Sequence, residues 1–200
     1  MSMVLGLTGG IATGKSTVSR VFKEAGFPIV DGDIIAREIV EPGQPALKEI
    51  ITAFGSQILE TNGSLNRKKL GEIIFNDSEK RTHLNKIMSP YLRKAILTEL
   101  ELKKQQAPLV ILDIPLLYEG GYEQFVDQVA VVYVPEKIQL QRLMLRDQLT
   151  AEEAQQRIDS QWSIEQKKQQ AEIIFDNQGT KEDTEKAVKE WLSANHFSYA

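Results

Sequence analysis

Cysteine is absent from the 200 residues. That excludes a disulfide scaffold, thiolate metal sites and cysteine nucleophiles. Histidine occurs only twice, as His83 and His196, far apart and without metal-type spacing. Both are expected to be ordinary surface or partly buried residues. A basic excess is missing too: 24 Lys+Arg stand against 28 Asp+Glu, a formal net charge of −4. This argues against a general nucleic-acid coat, which wants a basic surface, while leaving room for a local basic cleft. Long hydrophobic runs are also lacking. The apolar stretch 1–7 has no basic residue before it and breaks at Gly9-Gly10, too early for a signal peptide or a span. The expectation is a cytoplasmic protein with neither membrane nor nucleic acid as partner. With 42% hydrophobic and 26% charged residues, the chain has material for a sizeable core rather than disorder. Its length fits one domain with an elaboration, or two small ones.

Apolar patterning sets the organisation. Residues 3–8 form a short run, apolar on both faces and stopped by glycines, which reads as a buried strand. Helical spacing follows over 16–25, with Val18, Val21 and Phe22 on one face. Further strands are expected at 28–31, 109–113, 129–134 and 173–175, with helical patterns over 136–170 and 182–194. Between 32 and 106 no strand is expected. Apolar residues recur there at helical spacing in 34–40, 47–54, 70–75 and 84–102, punctuated by turn residues at 42–43 and 61–64. Alternating strands and helices imply a doubly wound α/β core, with the strandless stretch as a helical insertion. Trp162 and Trp191 fall in helical patterns and are expected to serve packing.

Gly9-Gly-Ile-Ala-Thr-Gly14-Lys15-Ser16 fits G-x-x-x-x-G-K-[ST] in full, after a strand and at a helix start. Glycines let the backbone curl so that successive N–H groups point at phosphate oxygens. The helix opening at Lys15, Ser16 and Thr17 adds free amides and a dipole. Lys15 would reach the β- and γ-phosphates, and Ser16 would offer a hydroxyl to Mg²⁺. Residues Gly10, Ile11, Ala12, Thr13, Gly14, Lys15, Ser16 and Thr17 are thus the candidate phosphate cradle.

Carboxylates come next. Asp31-Gly32-Asp33 lies at the carboxyl end of the second strand, the edge where ligands sit in open α/β sheets. One of the pair could orient or deprotonate an acceptor hydroxyl while the other holds Mg²⁺ through water; alternatively Asp33 caps the following helix. Asp113 ends the most hydrophobic strand and has the look of a Mg²⁺-supporting aspartate that needs a partner. Ile114, Pro115, Leu116, Leu117, Tyr118 and Glu119 follow, either walling a pocket or covering the core. Arg142 and Arg146, at i and i+4, share a helix face. Together with Arg157 they would neutralise charge on a transferring phosphoryl group, or else form a solvated face with Asp147, Glu152, Glu153 and Asp159. Thr150-Ala-Glu-Glu153 fits a capping box.

Taken together the chain resembles the dephospho-CoA kinase family along nearly its whole length. The likeness rests on Leu7-Thr-Gly-Gly-Ile-Ala-Thr-Gly-Lys-Ser-Thr17, Asp31-Gly-Asp-Ile-Ile-Ala-Arg37, and Asn62-Gly-Ser-Leu-Asn-Arg67 with Leu70-Gly71. It continues through Asp113-Ile-Pro-Leu-Leu-Tyr-Glu119, Gln141-Arg-Leu-Met-Leu-Arg-Asp147 and Arg157-Ile-Asp-Ser-Gln161. The resemblance implies transfer of the γ-phosphoryl group of ATP to the ribose 3′-hydroxyl of dephospho-CoA, with Mg²⁺. It implies a P-loop NTPase core with a five-stranded parallel sheet (1–32, 107–139, 162–200), a helical substrate segment (33–106) and a helical lid (140–161). Asp33 is then the expected base, Lys15 and Arg142 the charge-stabilising residues, and Arg146 a further phosphate contact. Thr8, Asp33, Arg37 and the run from Pro115 to Tyr118 fall to the acceptor, and Ser16 and Asp113 to the metal. A monomer or weak homo-oligomer is expected.

Two departures from the family pattern matter. Ala12 stands where the family usually has Gly, tolerable if its φ stays negative. Ser89-Pro90 stands where it usually has His-Pro, which removes whatever that histidine does. Two rival readings remain: a kinase for another small alcohol or nucleotide, and a nucleotide-dependent switch. A guanine-reading Asn-Lys-x-Asp is absent, since Asn85-Lys86-Ile87 ends in Met88.

Overall fold

A computed structural model describes residues 2–75 and 77–197, backbone alone at Phe75. The chain divides into two compact units, Met1–Asp31 with Leu100–Ala200, and Gly32–Glu99.

In the first unit β1 (Met3–Gly9) leads through a glycine-rich loop into α1 (Lys15–Glu24), and β2 (Ile29–Asp31) follows. The chain returns to this unit at the end of a long helix, then enters β3 (Leu109–Asp113) and β4 (Gln128–Tyr133). Strand β5 (Ile173–Asp176) and α9 (Lys181–Ala194) close it. The five strands form one parallel sheet in the order β2-β3-β1-β4-β5. Parallel strands are covered on both faces, which is why β3 reads Leu-Val-Ile-Leu-Asp and is buried throughout. The five expected strand positions are the observed ones, displaced by no more than a residue or two at the ends.

One face is sealed by α1 and α9. Val18, Val21 and Phe22 from α1 and Val188 and Leu192 from α9 pack with Leu5, Leu7, Ile111, Val132 and Phe175. Phe22 meets Phe175 and Trp191 edge-to-face at 6.1 and 6.0 Å. Burying a ring of this size stabilises by roughly 2–3 kcal/mol, and Trp191 packs as expected.

Between β4 and β5 lie three helices, α6 (Glu136–Asp147), α7 (Ala151–Asp159) and α8 (Ile164–Gln170); the first break is the one that the Thr150 capping box marks, and only the second, between α7 and α8, departs from the expected helical pattern. The break after α6 has Gln148 at φ 55° and the Thr150–Glu153 capping box at its far side. A second box, Ser163–Gln166, opens α8. Trp162 lies between those two helices and not within one, which corrects its assignment to a helical pattern. Its ring instead stacks on Tyr118, centroids 5.7 Å apart and planes 5° off parallel.

The second unit contains α2 (Gly32–Glu38), α3 (Pro45–Phe54), α4 (Arg67–Phe75) and most of α5 (Ser78–Lys104). Its own core is Val40, Ala46, Leu47, Ile50, Phe54, Ile58, Leu70 and Leu84. A lone antiparallel bridge, Leu59 to Leu65, pins the turn at 61–64. Helix α5 runs through Pro90, which removes one ladder donor without ending the helix. His83 is exposed and stands 6.0 Å from the Phe54 ring. His196 is also exposed.

Candidate active site

The glycine-rich loop is held from several sides. Within it, the Thr13 amide and hydroxyl both donate to the Gly10 carbonyl, at 3.2 and 2.9 Å. From outside, Gln161 Oε1 accepts the Ile11 amide at 3.0 Å. Asn177 Nδ2 donates to the Thr13 carbonyl at 2.7 Å. Asn177 is itself fixed, since its Oδ1 accepts from the Thr184 hydroxyl at 2.7 Å and its amide donates to the Tyr133 carbonyl at 2.8 Å. Gly14 has φ 88°, and a Cβ there would collide with Asn177 Nδ2. Only glycine meets both demands. The Ile11 amide is therefore directed to Gln161 and the Thr17 amide to the Gly14 carbonyl at 2.9 Å, while the Lys15 and Ser16 amides precede the helix's own ladder, as an anion-binding helix start requires.

Lys15 and Asp113 come from neighbouring strand ends, β1 with its loop and β3, and form an ion pair. Asp113 is buried, so desolvation pushes its carboxyl above the usual range; the Lys15 ammonium and the Ser19 hydroxyl oppose this. The partner that a buried strand-end carboxylate requires is thus the lysine of the loop. Ser16 is exposed at the opening of α1. Asp31, at the end of β2 beside β3, adds its charge to the field that raises Asp113.

The arginines separate. Arg142 Nη2 donates to the Asn177 carbonyl at 2.8 Å, and its guanidinium lies 4.0 Å from where a Gly14 side chain would begin. Arg146 and Arg157 instead converge on Asp147, at 2.8 and 3.0 Å, and hold that carboxyl below its usual range. Of the acceptor candidates, Thr8 is buried with its hydroxyl donating to the Pro115 carbonyl at 2.8 Å. Leu116 is 44% exposed, and Leu117 is buried in the core beneath. Burial, reinforced by Glu172 and Glu123, pushes the Tyr118 hydroxyl up to about 12. Asp33 and Arg37 are exposed on α2, one turn apart. The helix begins at Gly32, so Asp33 lies inside its first turn rather than at the capping position.

Ala12 has φ 62°, which corrects the expectation of a negative value. The loop must curl there to turn its amides inward, and alanine bears the left-handed cost of roughly 1–2 kcal/mol. Its methyl packs with Ile11 against Leu143, Ala154 and Ile158 of α6 and α7. Replacing Ala12 by Gly relieves strain, but the lost contact and added unfolded-chain freedom offset that by ~1 kcal/mol. Ala12→Gly is expected to move Tm by no more than about 2 °C, while Ala12→Val lowers it by about 4–8 °C, from ~2 kcal/mol of added strain. Thermal denaturation followed by circular dichroism checks this; equal shifts for both variants would remove backbone strain as the cause.

Sequence reasoning missed Asn177, Gln139 and Lys167, and placed Glu119 only at the end of the run after Asp113. Gln139 is buried against Gly10, and Lys167 is wholly buried beside Glu119. A polar residue directly after the last strand was an available signal for Asn177. For Lys167, in a Gln- and Lys-rich helix, the local pattern offers none.

Comparison with known proteins is consistent with this geometry. The family model for dephospho-CoA kinase matches residues 3–183. A dephospho-CoA kinase from Enterococcus faecalis is 65% identical over 192 residues, covering 96% of each chain. Among solved structures, dephospho-CoA kinase from Campylobacter jejuni superimposes with a TM-score of 0.74 at 32% identity, over 98% of this chain and 100% of that one. Shikimate kinase from Aquifex aeolicus matches with a TM-score of 0.51 at 17% identity, over 97% and 98% of the two chains, a likeness of fold.

Proposed function

Because the chain belongs to the dephospho-CoA kinase family, we propose that the loop between β1 and α1, with Lys15, Asp113 and Arg142 around it, is where it transfers the γ-phosphoryl group of ATP. The protein is an ATP-dependent kinase of P-loop NTPase fold that phosphorylates dephospho-CoA on its ribose 3′-hydroxyl, giving coenzyme A and ADP. The observation that carries the site is the Lys15–Asp113 pair at adjoining strand ends, beside a loop braced by Gln161 and Asn177.

Phosphoryl transfer passes through a loose transition state, so the protein's work is positioning and charge stabilisation. The backbone from Gly10 to Thr17 cradles the triphosphate. Lys15 turns from Asp113 toward the β- and γ-oxygens, and Arg142, already beside Gly14, meets the charge that spreads over the leaving phosphates. Arg146 joins it by exchanging Asp147 for phosphate. The helical unit carries the acceptor residues Asp33 and Arg37, and Asp33 takes the 3′-hydroxyl proton. Pro115 and Leu116 line the acceptor side, with the buried Thr8 hydroxyl holding the Pro115 carbonyl beneath them. The α6–α7 segment serves as lid and keeps water from competing as acceptor.

The donor set fits Mg²⁺. The Ser16 hydroxyl is exposed and the Asp113 carboxylate is a buried oxygen donor, while the described residues hold no cluster of three or more metal-ligating side chains. Such a pair suits an ion that takes most of its ligands from phosphates and water. Ser16 would bind it directly and Asp113 through water, and the ion would draw charge from the transferring group.

A coupled ADP-release assay with dephospho-CoA, AMP, adenosine and shikimate tests the reading. ADP is expected with dephospho-CoA alone. Turnover of another acceptor but not of dephospho-CoA would assign a different small-alcohol kinase, and ADP release independent of any acceptor would assign a nucleotide switch.

A further inference from the structure

Lys167 lies on α8 with no exposed surface, while its neighbour Lys168 sits over the Tyr133 ring, 3.8 Å from its centroid. An ammonium group taken out of water must place every hydrogen on an acceptor. Lys167 does so with Glu119 Oε1 at 2.9 Å, the Pro115 carbonyl at 2.9 Å and the Gly9 carbonyl at 3.4 Å. Burial lowers the affinity of its amine for the proton, Glu119 raises it again, and the Lys15 charge lowers it.

These acceptors lie where the chemistry needs fixed spacing. Gly9 ends β1 and begins the phosphate loop; Pro115 stands two residues past Asp113, at the end of β3. A single ammonium group therefore spans the two strand ends that bear Lys15 and Asp113. The Thr8 hydroxyl reinforces the same point by donating to the same Pro115 carbonyl. Glu119 extends the connection, because its Oε1 also accepts the Trp162 amide at 2.9 Å. Gln161, the preceding residue, holds Ile11 of the loop. The junction where α7 gives way to α8 is thus tied to the phosphate loop on one side and to Glu119 on the other. Stability alone explains this poorly, since an apolar side chain of similar volume would fill the space without burying a charge.

We propose that Lys167 is a positioning residue for phosphoryl transfer: its ammonium group sets the spacing of Gly9 and Pro115 and, through Glu119, anchors the junction at Gln161 and Trp162. The proposal rests on the loop being the ATP site of a dephospho-CoA kinase.

The absence of cysteine provides the test. Lys167→Cys introduces a single thiol, which can be alkylated in the unfolded chain. With 2-bromoethylamine the thiolate displaces bromide, forming a carbon–sulfur bond and a lysine analogue of nearly native length. With 1-bromopropane the same reaction yields an isosteric side chain ending in methyl. After refolding, the aminoethyl protein is expected to recover kcat/KM for ATP to within about fivefold of wild type. The propyl protein is expected to remain about 100-fold lower at a temperature at which circular dichroism shows both proteins folded, with kcat reduced as well as KM raised. Equal activity of the two would reduce Lys167 to a space-filling role and overturn the proposal.

Should the propyl chain not refold, Glu119→Gln/Lys167→Met removes both charges. A folded double variant still about 100-fold impaired supports positioning, and one with wild-type kinetics overturns it. Failure of both to fold beside a folded aminoethyl protein would make the ammonium group a folding requirement, which also overturns it. Wild type assayed with dephospho-CoA in parallel separates these outcomes from failure of the kinase reading, in which wild type itself would not turn over.

Discussion

Asp33→Asn lowers kcat by about 10²–10⁴-fold, the usual contribution of a general base, while ATP binding stays within about threefold of wild type. The amide keeps the shape of the carboxylate and one of its acceptor oxygens. It cannot take up the proton of the 3′-hydroxyl as that oxygen attacks. Asp33 lies in the first turn of α2, directly after β2, and is exposed. Its replacement by the isosteric amide therefore buries no new polar group, and Tm should change little. Asp31, the other carboxylate of the pair, ends β2 and acts electrostatically on Asp113. Steady-state kcat at saturating ATP and dephospho-CoA, with ATP affinity from calorimetry, decides the matter. A variant within threefold of wild-type kcat would take the base role away from Asp33.

How far residue order alone reaches can be argued from contrasting pairs of residues. The strands were legible because a parallel sheet buried on both faces demands unbroken apolar runs, and Leu109 to Leu112 is such a run. Lys15 and Gly14 were legible because a phosphate loop compresses strand end, curl and helix start into eight consecutive positions. The Thr150 box was legible for the same reason: its partners are three residues apart. Lys167 and Gly9 are 158 residues apart, and Asn177 and Thr13 are 164 apart. Nothing in the sequence around Lys167 distinguishes it from Lys168, which stays near the surface. Trp162 was misassigned because the helical period does not register the short break between α7 and α8, where the Ser163–Gln166 box opens a new helix. Ala12 was misjudged on propensity, since the methyl contact with Leu143, Ala154 and Ile158 that accompanies its positive φ comes from helices far along the chain.

Lys15→Met should lower kcat/KM for ATP by about 10²–10³-fold, the cost of removing one charge-stabilising group aimed at a transition state. Its effect on stability identifies which partner the lysine serves in the absence of nucleotide. Asp113 is buried and loses its only ion-pair partner among the described residues. Breaking a buried pair from one side costs about 3–5 kcal/mol when the remaining charge cannot adapt, but a carboxylate adapts by taking up a proton. Burial already holds the folded-state affinity of Asp113 for its proton above the unfolded value, and Lys15 opposes that shift. A group raised in this way favours folding below the unfolded carboxylate pKa and loses that contribution as pH rises through the folded one. Without Lys15 the folded value moves higher still. The Tm deficit of Lys15→Met should then be small near pH 5 and grow toward about pH 8. Lys15→Met/Asp113→Asn, with no carboxylate left to bury as a charge, should recover most of the Tm and flatten its pH dependence while kcat/KM stays low. Recovery of both would mean that Lys15 matters only as a counter-ion. A pH-independent deficit in the single variant would mean that Asp113 is not the group left uncompensated. The expected split, stability regained and catalysis not, is what a lysine shared between a strand-end carboxylate and a nucleotide phosphate requires.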